Sequence, residues 1–522
     1  MLKGEVQTIH ITDMTAHGMG VGRDKDGAAV FVRGALPGDT VAAECCRAKK
    51  RYSEAETVEI LDPSPYRVPS FCDVKGCGGC QYCELRYEKQ LEIKRRQVVQ
   101  DLVRIGGLDA PEVNKTIGMD DPYCYRNKVT FQVGWKDGDT PLVGFYRAGS
   151  HDIVDCPVCM IQAPAAAAAA SSLRTFMLQE HLTVFDSKTK KGLLKDVIVR
   201  SCFSTGEVMV VLEINGSSIP AADKLIDMID EQINRAAFSL EEDAENTVRP
   251  VDDIKVSAEE TESFWSLESV YLVGTNGIPV LLAGKKTVRE ELDGVRFEIS
   301  PLSFYQVNPE QAVRLYDKVF EYAGLSAGDS LLDLYCGVGS IGLYLADRMN
   351  DSISVLGIES NRSAVLDANR NAVINGVINA RYICGAAEDV LPGIVESTGE
   401  HDADEPYKGS EHRSGGDSSM NKEGFDDPEK GSTEWFARSV LASADVAVLD
   451  PPRAGCDEKL LAAVVRVSPE RIVYVSCDPA TLARDVKNLT ANGYSFIQAT
   501  PVDMFPHTGH VETVVLMSRV ER

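Results

Sequence analysis

Apolar and polar residues alternate over the first sixty positions. GEVQTIHI, AHGMGVGR, GAAVFVRGALPGDTVAAEC and EAETVEIL read as short strands separated by Gly and Pro-Gly turns. Strands this short and this evenly spaced predict a small β-barrel over residues 1–63. Pro63, Pro65 and Pro69 then mark a linker. The period changes at Glu88, after which Leu91, Val98, Leu102 and Ile105 recur at helical spacing. An amphipathic helix over 88–105 with a basic face is expected, able to pack on the last domain. GEVMVVLEI and ESVYLVGTN read as further strands, so residues 64–300 are expected to form a mixed α+β unit. From 301 to 522 the apolar runs SLLDLY, SVLGIE, ADVAVLD and RIVYVSC alternate with helical segments. Runs buried on both faces, joined by helices, are the signature of a parallel sheet in a Rossmann-like α/β domain. Ligands of such sheets bind at the carboxyl ends of the strands.

Composition places the chain among folded proteins: 522 residues, 44% hydrophobic and 25% charged. Fourteen cysteines, clustered rather than evenly spread, do not make a secreted disulfide scaffold. MLKGEVQTIHITDM lacks the apolar core of an export signal, and the Ala163–Ala170 run is too short to span a bilayer. A cytoplasmic protein with reduced thiols and no membrane partner is therefore expected.

The formal charge is −25, which argues against a nucleic-acid partner, because phosphate binding needs local positive charge. Its distribution weakens the objection. Residues 1–130 hold 19 Lys+Arg and 19 Asp+Glu. Stretch 241–262 carries −7, and stretch 396–434, rich in Gly, Ser and Asp, carries −8 and reads as a solvated insertion. A basic groove near the N-terminal half stays open, and Arg47, Lys49, Lys50 and Arg51 beside Tyr52 could meet a phosphate backbone.

FCDVKGCGGCQYC holds Cys72, Cys77 and Cys80 in a C-x4-C-x2-C run, and Asp155-Cys156-Pro157-Val158-Cys159 supplies more thiols. Three close thiols plus a distant fourth can enclose a tetrahedral metal or an iron–sulfur cluster. Spacing alone leaves zinc and [4Fe–4S] open, although the three-plus-one arrangement is closer to cluster ligation. Cys156 is preferred as the fourth ligand because Pro157 follows it; Cys83 and Cys159 are spare.

Asp333-Leu334-Tyr335-Cys336-Gly337-Val338-Gly339-Ser340 follows a strand and opens a helix. Glu359 ends the next strand twenty residues after Gly339, where an acid can accept from ribose hydroxyls. The loop is not GxGxxG, so no pyrophosphate cradle is implied, which favours S-adenosylmethionine over NAD. Tyr335 is placed to pack on the adenosine or methionine part. Asp450-Pro451-Pro452-Arg453 ends a third strand and is similar to the substrate-facing motif of methyltransferases. Arg453 stands where amine-methylating enzymes have an aromatic. Cys477 ends a fourth strand, as a nucleophile would. Glu512, between Val511 and Thr513, is costly to bury without a partner or a task.

The first sixty residues resemble a TRAM domain, an RNA-binding barrel, through His17–Arg23, Gly34–Gly38 and Lys49–Tyr52. Nearly the whole chain resembles the RNA uracil-C5 methyltransferase family. That likeness rests on Ser303–Asn308, the glycine loop, Asp450–Arg453, Ser476–Pro479 with Thr481, Arg484 and Asp485, and His507–Glu512. It implies a class I methyltransferase domain over 301–522 and S-adenosylmethionine at Gln306, Tyr335, Glu359 and Asp450. It also implies Cys477 as the nucleophile adding to uracil C6 and Glu512 as the base removing the C5 proton. The likeness is closest to the branch acting on 23S ribosomal RNA, which implies a [4Fe–4S] cluster on Cys72, Cys77, Cys80 and Cys156. The same reaction on tRNA is the runner-up, and a non-catalytic RNA-binding factor is a different class of reading. A monomer is expected. Asp478 in place of the family's usual Asn, Ser340, the short first cysteine gap and the acidic insertion depart from the pattern.

Overall fold

The computed structural model describes residues 1–235, 264–398 and 430–520. The acidic stretch 241–262 lies outside the described residues, as does most of 396–434. Among the described residues the chain builds a closed five-stranded barrel, two seven-stranded sheets and a two-stranded ribbon.

The barrel is β1 (Val6–Met14), β2 (Met19–Arg23), β3 (Ala29–Arg33), β4 (Thr40–Ala48) and β5 (Tyr52–Asp62), in order β1-β2-β3-β5-β4. Ile9, Ile11, Val30, Val32, Val41 and Ala43 fill it, so the alternation along the sequence is its interior. Gly20 and Gly22 line the inner face of β2, where a Cβ would come to 2.9 Å from Ile11 and 2.4 Å from Ile9. A barrel this small closes only with glycine there. The basic run at 49–51 is the exposed turn between β4 and β5.

The proline-rich stretch that reads as a linker is instead clasped to the barrel. Buried Asp39 accepts from Leu36 N–H at 2.6 Å and Ser64 N–H at 2.7 Å, and pairs with Arg67 at 2.6 Å. A buried carboxylate left without those partners would be expensive.

Next come α1 (Tyr87–Arg104), β6 (Lys128–Lys136), β7 (Thr140–Tyr146), β8 (Ile153–Asp155), α2 (Pro164–Gln179), β9 (Leu194–Ser201), β10 (Glu207–Ile214), α3 (Ala222–Arg235), β11 (Ser266–Val273) and β12 (Pro279–Gly284). Their sheet runs β12-β11-β10-β9-β6-β7-β8 and is antiparallel except where β10 meets β11. Leu173 and Phe176 of α2 and Leu225 and Ile229 of α3 pack over Val197, Val199 and Val210. The ribbon β13 (Val288–Leu292) and β14 (Val295–Ile299) follows.

The last unit comprises α4 (Pro309–Ala323), β15 (Ser330–Leu334), α5 (Ser340–Arg348), β16 (Ser354–Glu359), α6 (Arg362–Ile374), β17 (Ala380–Cys384), α7 (Ala387–Thr398), α8 (Lys430–Ala442), β18 (Ala444–Leu449), α9 (Glu458–Val467), β19 (Arg471–Ser476), α10 (Pro479–Ala491), β20 (Tyr494–Val502) and β21 (Glu512–Arg519). The sheet order is β17-β16-β15-β18-β19-β21-β20. The four strands read from the sequence are there and parallel, but β21 runs antiparallel to both neighbours. Residues 503–511 are too short a connection for a parallel crossover, so β20 and β21 must form a hairpin.

The helix expected over 88–105 is α1, which lies against α10 and buries Val98 and Leu102 in the C-terminal core. Its basic face is not wholly turned outward. Lys94 is fully buried and ion-paired with equally buried Asp503. No helix among the described residues is long and apolar enough to cross a membrane.

Candidate active site

The site grows from the carboxyl ends of β15, β16, β18 and β19, as an α/β sheet dictates. At the end of β15 the chain turns through Tyr335 (φ 63°), Gly337 (φ 56°) and Gly339 (φ 79°) before α5 begins. A Cβ on Gly339 would meet the Tyr382 hydroxyl at 2.7 Å, whereas one on Gly337 would meet nothing within 4 Å. Gly339 is thus demanded by packing, and Gly337 leaves backbone open to a ligand. Asp333 accepts from Gly342 N–H at 2.9 Å through one oxygen, while the other is buried without a hydrogen-bond partner. Burial, opposed by that bond, pushes its carboxyl up to about 7. Glu359 Oε2 accepts from Gly337 N–H at 3.2 Å, which places the acid against the glycine turn. Ser340 accepts from the Tyr316 hydroxyl at 2.9 Å, so this departure from the family pattern still caps a buried tyrosine.

Tyr335 donates its hydroxyl to Glu388 in the first turn of α7. Sequence reading missed Glu388. It follows β17, whose mixed exposure carries no clean strand signal; the signal available was an acid just beyond an unrecognised strand end. Gln306 is buried just before the N-cap of α4, and its carbonyl accepts from Asn127 Nδ2 at 3.0 Å. The four residues expected to hold the cofactor come from the approach to α4 and from the ends of β15, β16 and β18. Open backbone at Gly337, an unpaired carboxylate oxygen and the Glu359 carboxyl fit a charged, hydroxyl-bearing ligand such as S-adenosylmethionine.

Cys477 and Glu512 meet through strand register. Ser476 of β19 pairs with Thr513 of β21, so the residue after one lies opposite the residue before the other. Burial pushes Glu512 up to about 8, with Asp450 adding and Arg453 opposing. Burial also pushes the Cys477 thiol up to about 12, reinforced by Glu512 and Asp450 and opposed by Arg453. Asp450 itself is raised to about 7 by burial. Thiol, two carboxyls and one guanidinium thus share a single electrostatic neighbourhood. Cys477 also directly precedes the N-terminus of α10, where a thiolate is favoured. Asp478 is the N-cap of that helix and accepts from Ala480 and Thr481 N–H, each at 3.0 Å. Asp caps as well as Asn, so this substitution keeps the turn behind the nucleophile. Thr481 donates to the Arg453 carbonyl at 3.1 Å, and His510 Nε2 lies 3.5 Å from the Arg453 guanidinium.

Cys72, Cys77, Cys80 and Cys156 line one cavity of about 790 Å³, together with Cys83 and Cys159. The same cavity reaches Arg453, Phe505 and His510. All six thiols are free of disulfides. Burial raises Cys72 and Cys77 above the ordinary thiol range. Among the described residues no three His, Cys, Asp or Glu side chains are gathered as for a single metal ion. Six thiols line one cavity, Cys80 hydrogen-bonded to Cys83 and Cys156 to Cys159, and are soft donors of the kind iron–sulfur groups take.

The barrel reaches this region as well. A Cβ on Gly509 would lie 1.8 Å from the Ala16 carbonyl, and the Tyr82 hydroxyl donates to the Thr15 carbonyl at 3.2 Å.

Sheet order, glycine turn and acidic strand end define an S-adenosylmethionine-dependent methyltransferase with a barrel appended. A family model described as tRNA (uracil-5-)-methyltransferase matches residues 275–397 and 441–520, and a TRAM domain model matches 2–58. An RNA methyltransferase of Caldanaerobacter subterraneus is 37% identical over 99% of both chains. A Bacillus cereus RNA methyltransferase is 35% identical over 100% of this chain and 98% of that one. The structure of Pyrococcus abyssi tRNA (uracil-54, C5)-methyltransferase in complex with S-adenosyl-L-homocysteine is similar at TM-score 0.65 and 27% identity, over 98% of this chain and 100% of that chain. The chain belongs to the tRNA (uracil-5-)-methyltransferase family and is an RNA methyltransferase.

Proposed function

We propose that the protein methylates C5 of a uridine in 23S ribosomal RNA through a covalent adduct on Cys477. The observation carrying this is the register that sets Cys477 opposite Glu512 at adjacent strand ends. Uracil C5 is a weak nucleophile. Addition of the Cys477 thiolate at C6 moves electron density to C5, which then takes up the methyl group. Bound S-adenosylmethionine supplies that group as an electrophilic methyl on a sulfonium; Gln306, Tyr335, Glu359 and Asp450 would hold it. Glu512 then removes the C5 proton, and elimination returns the Cys477 thiolate. Arg453, close to both groups, favours their ionised forms. The target base must leave its stack to reach so enclosed a pair.

Glu512 accepts a proton only when ionised, and its carboxyl sits near pH 8. Because its pKa is raised, the inactive protonated form dominates below that value. kcat, which includes the proton-removal step, is expected to climb as pH rises through about 8; a kcat profile already flat from pH 6 upward rules the base assignment out.

The barrel and the cysteine site support the ribosomal target. The full-length likeness to a tRNA enzyme favours tRNA as the second reading. Mapping 5-methyluridine in both RNAs from cells lacking the protein decides: loss from 23S rRNA supports the proposal, and loss from tRNA alone supports the second reading.

At the thiols we assign a [4Fe–4S] cluster to Cys72, Cys77, Cys80 and Cys156, leaving Cys83 and Cys159 spare. Protein purified without oxygen is expected to be brown and to contain iron and sulfide. Stoichiometric zinc without iron overturns this assignment.

A further inference from the structure

The segment that delivers Glu512, residues 503–511, is tied to two distant parts of the chain. From α1, Lys94 pairs with Asp503 and donates to the Phe505 carbonyl at 3.0 Å. Also from α1, buried Gln90 accepts from His507 N–H at 3.0 Å, with its amide nitrogen 3.2 Å from His507 Nδ1. The cysteine loop grips the same stretch. Gln81 and Tyr82, the two residues between Cys80 and Cys83, both donate their N–H to the His507 carbonyl, at 3.1 and 3.0 Å. The Gln81 side chain accepts from Gly509 N–H at 3.2 Å and donates to the Gly78 carbonyl at 2.9 Å. His507 is held in the left-handed region at φ 65°, a conformation that persists only where surroundings enforce it.

We propose that Gln81 is a positioning residue for the proton-accepting carboxylate: it couples the thiol loop to Gly509, and so fixes the strand entry from which Glu512 projects three residues later. The inference rests on reading Glu512 as the base. It gives the cysteine site a mechanical part in the reaction. Cys80 directly precedes Gln81 and Tyr82, so a group gripping that thiol steadies the same two residues that clamp His507. Loosening of the thiol loop is transmitted to the base without any thiol touching the RNA.

Two substitutions separate positioning from general damage. Gln81→Met keeps the volume and removes the acceptor; Gln81→Glu keeps an acceptor for Gly509 N–H. In Gln81→Met, kcat is expected to fall about tenfold, the order carried by one hydrogen bond to a buried group. KM for RNA and for the cofactor should stay within about twofold, since neither binding site loses a contact. The covalent RNA adduct should accumulate, because elimination waits on a misplaced base. Hydrogen exchange of the 507–511 amides should quicken about tenfold, and Gln81→Glu should restore both rate and protection. Wild-type kcat and wild-type exchange in Gln81→Met overturn the proposal, as does a Gln81→Glu variant that fails equally. Should the wild-type protein form no 5-methyluridine, the base assignment falls, while the exchange comparison still decides whether the loops are coupled.

Discussion

Replacing Cys477 by Ala should abolish methylation, by about 10⁴-fold or more, while RNA and cofactor binding persist. The argument is chemical before it is structural. Without addition at C6, uracil offers no carbon nucleophile at C5, and no other group in the cleft can substitute. Asp450 and Glu512 are carboxyls held neutral or near-neutral by burial, and Arg453 is a cation. Cys456, another thiol of this domain, is buried, and burial pushes its thiol up to about 12. The alanine side chain fits wherever the thiol did, so the fold should tolerate it. The measurement is methyl transfer to an RNA containing the target uridine, beside a filter or gel assay of binding. Appreciable turnover in the alanine variant would falsify the nucleophile assignment.

Replacing Glu512 by Gln should give a different failure. Addition and methyl uptake precede the step that needs the base, so both remain possible. Elimination does not, because C5 keeps its proton. A covalent protein–RNA species that survives denaturation should accumulate to nearly one per active site, with multiple turnover reduced about 10³-fold. Gln also removes a carboxyl that raises the neighbouring thiol, which eases thiolate formation and favours adduct over free enzyme. A slow-migrating band on a denaturing gel, carrying label from both RNA and methyl donor, is the expected observation. Loss of turnover with no such band would place Glu512 earlier in the reaction than proposed.

Much of this was legible from the sequence because it is local. The barrel shows in a period-2 pattern that its own interior imposes, and the glycine turn shows because φ > 0 at Gly337 and Gly339 restricts residue choice. Cys477 and Glu512 could be singled out separately, the one at a strand end and the other as an acid among apolar neighbours. What brought them together, the antiparallel pairing of β19 with β21, was not legible as parallel-sheet rhythm. It comes from a hairpin closed at the sheet edge by a short connection. Other features were hidden because their partners are remote. Lys94 looked like part of a basic surface, and only Asp503, 409 residues away, explains why it turns inward. The proline stretch looked like a linker because its anchor, Asp39, lies inside the preceding barrel. Asp478, which departs from the family's usual Asn, leaves the cap of α10 in place, because either side chain can accept from the first amides of a helix.

The contact between Gly509 and Ala16 reaches past this one molecule. Two chain segments almost five hundred positions apart sit so close that no side chain fits between them. A chimera that borrowed its N-terminal module from another protein would carry the seam directly into the reaction centre, and a graft that kept every catalytic group could still arrive with its proton acceptor displaced. The barrel and the strand that carries Glu512 thus share one seam, and neither can be moved without moving the other.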